Sequence, residues 1–214
     1  MPVQPNASNQ TKEKIIDAAV ALFNTQGFNG TSVREIAKKA NVNVAHISYY
    51  FNGKGGLLEY LVSKYYEGYL SVIEAGYLRL SRETPKNCLL LLIGDILNYQ
   101  HENRQLARFV LREVTLDSML IREVMTTYLT KEKYFFKAIL EEGIRSGQFR
   151  KAPMAHILVQ LKSLLNMPYL QPQYMSEVLY IQTHESYFVK QYFHEIEIWI
   201  DHLLCDPSKK EAIV

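Results

Sequence analysis

Apolar positions along the chain recur at helical spacing, and glycines and prolines punctuate them. No stretch of roughly four to eight residues alternates cleanly between apolar and polar, which argues against strands. A first helix is predicted over about Thr11–Gln26, where Ile15, Ala18, Ala19, Leu22 and Phe23 share one face. Gly27 follows as its stop. A second helix opens at Thr31 or Ser32, both suited to N-capping, and Glu35 lies three residues after Ser32, as in a capping box. Its buried face is Val33, Ile36, Ala37 and Ala40, and Asn41, which tolerates a left-handed turn, ends it. Asn43 caps a short third helix over about Val44–Tyr50. Asn52-Gly53 breaks the chain before a long helix over about Lys54–Leu80.

The remainder is equally helical. Helices are predicted from Pro85 to near His101, over about Arg104–Thr126, over about Thr130–Ser146 with Gly147 closing it, and from Pro153 to Asn166. Pro168 and Pro172 bracket an irregular connector, followed by helical stretches over about Tyr174–Gln182 and His184–Leu204. The expected fold is all-α: a flexible arm (1–10), an N-terminal three-helix bundle (11–52), a larger helical domain (53–206) and a charged tail (207–214).

The segment from Thr31 to Leu58 carries the function. Two short amphipathic helices stand three or four residues apart. Small Ala37 lets them approach, Asn41 makes the turn, and Val42 and Ile47 plug the junction. That is what a helix-turn-helix requires, and its second helix lies in the major groove of double-stranded DNA.

Composition narrows this further. Of 214 residues, 48% are apolar and 21% charged, enough for a sizeable core and against global disorder. Net charge is only +2. Its excess sits in residues 1–60, which hold Lys12, Lys14, Arg34, Lys38, Lys39 and Lys54 against Glu13, Asp17, Glu35 and Glu59, the sign suited to a polyanion. Cys88 and Cys205 lie far apart in apolar stretches and read as buried thiols of a reducing, cytoplasmic setting. The longest apolar run, Cys88–Ile93, is far short of the about 20 residues of a membrane span, so no membrane partner is expected. The polar first ten residues carry no apolar core of a signal peptide.

Here the wording resembles the TetR family of bacterial regulators. Thr31, Ile36-Ala37, Val42, Tyr49-Tyr50-Phe51, Lys54 and Leu57-Leu58 stand at the family's spacing, with Phe23 and Gly27-Phe28 upstream. Gly147 to Arg150, Gly-Gln-Phe-Arg, looks like the family's common helix end. Three departures stand out: Asn41 replaces the turn glycine, Ser48 an aromatic, and Gly55-Gly56 an acidic pair. The stretch NVNVAHISYYFNGKGGLLE is also similar to Bacillus-type regulators that bind the chromosome and act on the FtsZ division ring at sporulation. The resemblance implies a homodimer on a pseudo-palindromic DNA site, with 11–52 as the DNA-binding domain, 53–206 as the regulatory and dimerisation domain, and the helices over about Pro153–Asn166 and His184–Leu204 pairing two subunits. It places Thr31, Asn43, Tyr50 and Lys54 on phosphates, roles that hydroxyls, helix starts and an ammonium suit.

Third-helix residues not used for packing face the groove: Val44, Ala45, His46, Ser48 and Tyr49. Val44 and Ala45 suit a thymine methyl, and His46 a base edge, although a solvated His46 is the bland alternative. Arg34 can reach phosphate or base. Thr31 and Asn43 can also serve as caps alone. Arg104, Arg108 and Arg112 recur every four residues on one helix face. They are either a solvated stripe or a docking surface for an acidic protein such as FtsZ. Tyr187, Phe188, Tyr192, Phe193 and Trp199 make the last helix a candidate dimer interface, or an internal core helix.

His184, His194 and His202 fall on varying helix faces, so no metal is expected. No phosphate loop, nucleophile elbow or paired-cysteine motif occurs, so neither catalysis nor a cofactor is expected. Two functions of different class stay open: a repressor released from DNA by a small molecule held in the larger domain, and a protein-interaction body positioned by DNA.

Overall fold

The computed structural model describes residues 7–115 and 119–205. Nine α-helices order them: α1 Ala7–Gly30, α2 Val33–Ala40, α3 Ala45–Phe51, α4 Gly53–Leu78, α5 Pro85–Glu102, α6 Arg104–Glu113, α7 Met119–Arg145, α8 Met154–Leu170 and α9 Phe188–Leu203. A 3-10 turn, Arg79–Ser81, follows α4, and a π-helical stretch, Tyr174–Val178, follows α8. Most of the expected arm and the tail 207–214 lie outside the described residues, but Ala7 to Gln10 are already helical.

Three boundaries differ from expectation. The chain breaks after Glu113, and α7 then runs unbroken through Thr126–Thr130. The β-branched Thr126-Thr127-Tyr128-Leu129-Thr130 run resembles a linker, but propensity is a weak prior beside packing. Pro168 lies inside α8, not beyond it. The stretch Tyr174–Gln182 forms only the short π-helical segment, and Tyr180 takes a left-handed conformation at φ 57°. Gly27 does interrupt α1: its φ of 76° and ψ of 164° kink the chain there.

The contacts divide the chain into two units, residues 1–66 with 105–124, and residues 67–104 with 125–214. In the first, Ile15, Ala19, Phe23, Ile36, Ile47, Leu57 and Leu61 are buried together with Phe109 of α6. Phe23 and Phe109 stack at 5.0 Å between ring centroids. In the second, α5 is central and packs on α8 and α9. Cys88, Leu89, Leu92 and Ile93 of its continuous apolar run are fully buried, as are Ile96 and Leu97 beyond it. Among the described residues the only β-type pairing is the single bridge Phe149–Cys205, where Arg150 N donates to Leu204 O at 2.8 Å. Gly147, at φ 72°, ends α7, and the ring of Phe149 folds back onto Gly143, where any Cβ would collide with it.

Candidate nucleic-acid interface

The turn between α2 and α3 is fixed by backbone chemistry local to the sequence. Ser32 is the N-cap of α2. Its hydroxyl accepts from Glu35 N at 3.2 Å, and its own N–H donates to Glu35 Oε2 at 2.8 Å. The Ser32 hydroxyl also donates to Glu35 Oε2 at 2.7 Å, and this bond, followed by the one from the Ser32 N–H, holds the exposed Glu35 carboxyl below its usual range. Asn41 closes α2 at φ 55°, the left-handed position glycine usually takes. Asn43 Oδ1 then accepts from Ala45 N at 2.9 Å and starts α3.

On α3 the split of faces is clean. Ile47 and Phe51 are buried, while Val44, Ala45, His46, Ser48 and Tyr49 are exposed, Tyr49 to 80%. Tyr50 is half-buried, with its ring edge-on to Tyr49 at 4.9 Å and its hydroxyl 3.1 Å from Ser8 Oγ. Arg34, on the first turn of α2, is exposed.

Two sequence-expected phosphate contacts sit differently. Thr31 is buried at 2% exposure; its hydroxyl donates to Gly27 O at 2.8 Å and its N–H to Phe28 O at 3.3 Å. It ties down the loop after the Gly27 kink, and Ser32 is the cap. Lys54 Nζ donates to Phe28 O at 3.0 Å and to Thr31 O at 2.9 Å, and lies 4.4 Å from the centre of the Phe28 ring. The first turn of α4 thus clamps the same loop. Lys12 completes this side, 4.1 Å from the centre of the Tyr60 ring.

The arginine stripe divides. Arg112 Nη2 donates to Phe23 O at 2.6 Å, and its Nε lies 3.9 Å from buried Glu113. Burial raises the Glu113 carboxyl pKa, and Arg112 opposes it. Arg112 is therefore a structural group of the first unit and not a free docking arginine. Asn24 Nδ2 adds a bond to Gln105 O at 2.8 Å. Arg108 is half-buried and carries no such bond among the described residues; burial, then Arg112, lower its pKa. Arg104 is exposed and belongs to the second unit. Sequence reasoning missed the α1–α6 clasp because its acceptors are main-chain carbonyls, which carry no residue signature.

The aromatics of α9 largely serve their own subunit. Phe188 stacks on Tyr192 at 5.3 Å, Tyr192 donates to Leu164 O at 2.8 Å, and Phe193 lies against Gly94. Tyr187 and Ile198 stay exposed, as does Val159 on α8. No helix among the described residues is long and apolar enough to cross a membrane.

Known proteins share this arrangement. Residues 15–61 match the bacterial regulatory proteins of the tetR family. YttP of Bacillus subtilis (strain 168), described as a probable HTH-type transcriptional regulator, is 63% identical over 190 residues, 89% of this chain and 92% of that one. HlyIIR, a hemolysin II transcriptional regulator, superposes with a TM-score of 0.64 at 27% identity, covering 88% of this chain and 98% of that one. PfmR of Thermus thermophilus superposes with a TM-score of 0.73 at 20% identity over 88% and 97% of the two chains, a likeness of fold. The family's signature thus falls on the helices that build the exposed α3 face, and the chain belongs to the TetR family of bacterial transcriptional regulators.

Proposed function

We propose that this regulator binds a pseudo-palindromic DNA site as a homodimer, and that it is a RefZ-type protein: nucleoid-associated, and acting on the FtsZ ring at sporulation. The observation that carries the DNA reading is α3 itself, with one buried residue between its ends, Ile47, and an outward face of Val44, Ala45, His46 and Tyr49. His46 reads a base edge and Val44 and Ala45 meet thymine methyls. Arg34, Asn43 and Tyr50 contact the backbone on either side. Lys54 and Thr31 serve that contact by holding the loop before α2, and Lys54 keeps one N–H for a phosphate. The division role rests on the wording of the read-head, with Arg108 and Arg104 as the groups offered to an acidic partner.

A second reading, a repressor released by a small molecule, is favoured by a cavity of about 290 Å3 in the second unit. Mapping the protein on the chromosome separates the two. Few sites, remote from promoters, with division defects on overexpression, are expected. Sites confined to promoters of regulated genes would sink the division role and leave the repressor.

A further inference from the structure

We propose that the cleft between α7 and α8 binds a medium-chain carboxylate; this rests on the small-molecule reading and gives it a ligand class. The cleft, half open to solvent, offers about 290 Å3. Its walls are Leu129 and Phe136 of α7 and Leu158, Leu161 and Leu165 of α8. Its lip is Val159, 65% exposed. At about 30 Å3 for a water-sized group, the space takes about ten heavy atoms. That matches a chain of about ten carbons, a size at the small end of ligand pockets.

The charges at this apolar cleft set the sign of the ligand. Lys133, Lys162 and Glu132 line it. Glu132 is buried and fully engaged: Tyr69 Oη donates to Oε1 at 2.8 Å and Lys162 Nζ to Oε2 at 2.5 Å. A buried ion pair is no efficient device for stability. It does fix the Lys162 ammonium, whose side chain stays 37% exposed, beside the apolar walls. Lys133 is exposed and has no carboxylate partner among the described residues. Two ammonium groups against one carboxylate leave a single positive charge at the opening of a greasy cleft. An apolar tail among the leucines with a carboxylate between Lys133 and Lys162 satisfies both features. A cationic amphiphile of the same length meets the lysines head-on.

The test is calorimetric titration of decanoate into the full-length protein. Saturable binding of one decanoate per chain is expected, with decyltrimethylammonium failing to bind. Lys133→Glu, a surface change, should weaken decanoate about tenfold or more. Leu161→Trp should abolish it by filling the cleft, and Ala155→Trp, at an exposed lining position, should do the same without burdening the core. No saturation by about 1 mM overturns the proposal. Equal binding of the cationic chain overturns it too, as does unchanged binding to Ala155→Trp. If Lys133→Glu turns a dimer into a monomer on sedimentation, the cleft is an interface between copies and the ligand site is refuted. Release from operator DNA by a cell metabolite extract keeps the readings apart: a protein that the extract releases but that does not bind decanoate loses this inference alone, and one released by neither loses the small-molecule reading as well.

Discussion

Arg112 reaches from α6 to the carbonyl of Phe23 on α1, and its Nη2 lies 2.6 Å from that oxygen. The bond falls four residues before the Gly27 kink, where the regular ladder of α1 ends. A guanidinium is suited to such freed carbonyls because its donors are fixed in a plane. The charge on one helix thereby becomes the cap of another, and α6 is fastened to the DNA-binding helices by Arg112, Asn24 and the Phe23–Phe109 stack.

Arg112→Ala should therefore destabilise the protein by about 2 kcal/mol, the range for a hydrogen bond to a charged group. It also strips buried Glu113 of its nearby cation. Arg108→Ala should stay within about 0.5 kcal/mol. Urea denaturation of the two variants checks this. Equal losses would show that the two arginines are not distinct in role, and a loss of partner activity in stable Arg108→Ala would mark Arg108 as the docking group.

The contrast shows what sequence conveys here. Local chemistry was legible: the Ser32–Glu35 box, Asn41 in its left-handed turn, Ile47 inward and Tyr49 outward all follow from spacing and side-chain type. Relationships with the main chain were not. Lys54 reads as a phosphate ligand, yet two of its three N–H groups serve Phe28 and Thr31 carbonyls. Thr31 reads as a surface hydroxyl, yet the kink at Gly27 turns it inward. Helix ends failed where packing overrides propensity: α7 passes through Thr126-Thr127, and α8 carries Pro168 in its last turn. The aromatic run of α9 suggests an interface because a core helix has the same composition.

Lys54→Ala should weaken binding to all DNA sequences alike and also lower stability by about 1–2 kcal/mol, since the Phe28–Thr31 loop loses its clamp. If the remaining N–H meets a phosphate, the log–log salt slope of binding should flatten by about one to two per dimer. Competition binding over a salt series, run beside thermal denaturation, gives both quantities. Lost affinity with an unchanged slope would make Lys54 a loop clamp only.

His46→Ala tests base reading. The side chain is exposed and its removal should leave stability within about 0.5 kcal/mol. Preference among operator variants should shift by about 1–3 kcal/mol at one position per half-site, the worth of a good base contact. Selection from a randomised site is the measurement. An unaltered consensus would return His46 to the solvated surface.

Alkaline pH should act on the second unit. Burial raises the Tyr99 and Tyr192 phenols to about 12, against about 10 when free. A group whose folded pKa is raised contributes its stability in full below the unfolded value and loses it as pH climbs through the folded one. Stability should thus fall between about pH 10 and about pH 12. Tyr192→Phe forfeits the bond to Leu164 O, about 1 kcal/mol near neutrality, but should decline less over that alkaline window. Denaturation midpoints at about pH 8 and about pH 11 compare the slopes, and parallel decline would remove Tyr192 from the account.

Pairing of subunits should depend on Ile198. Tyr187 and Ile198 are 51% and 40% exposed. They stand eleven positions apart, at about 100° per residue, so the N-cap Tyr187 and Ile198 of α9 return to nearly the same face. Phe188, Tyr192 and Phe193 pack inward, which leaves this pair as the large apolar surface this helix offers a second copy. Ile198→Glu places a charge where a self-complementary interface would bury it on both subunits at once. The variant should sediment as a monomer at micromolar concentration and lose most operator affinity, because one α3 reads too few base pairs and a dimer sets two of them about 34–36 Å apart. Thermal unfolding supplies an independent reading: the melting temperature of a dimer rises with concentration, and that of the variant should not. A variant that remains dimeric with full affinity would move the interface off α9. A native protein that is monomeric yet binds its operator at full strength would remove pairing from the mechanism altogether.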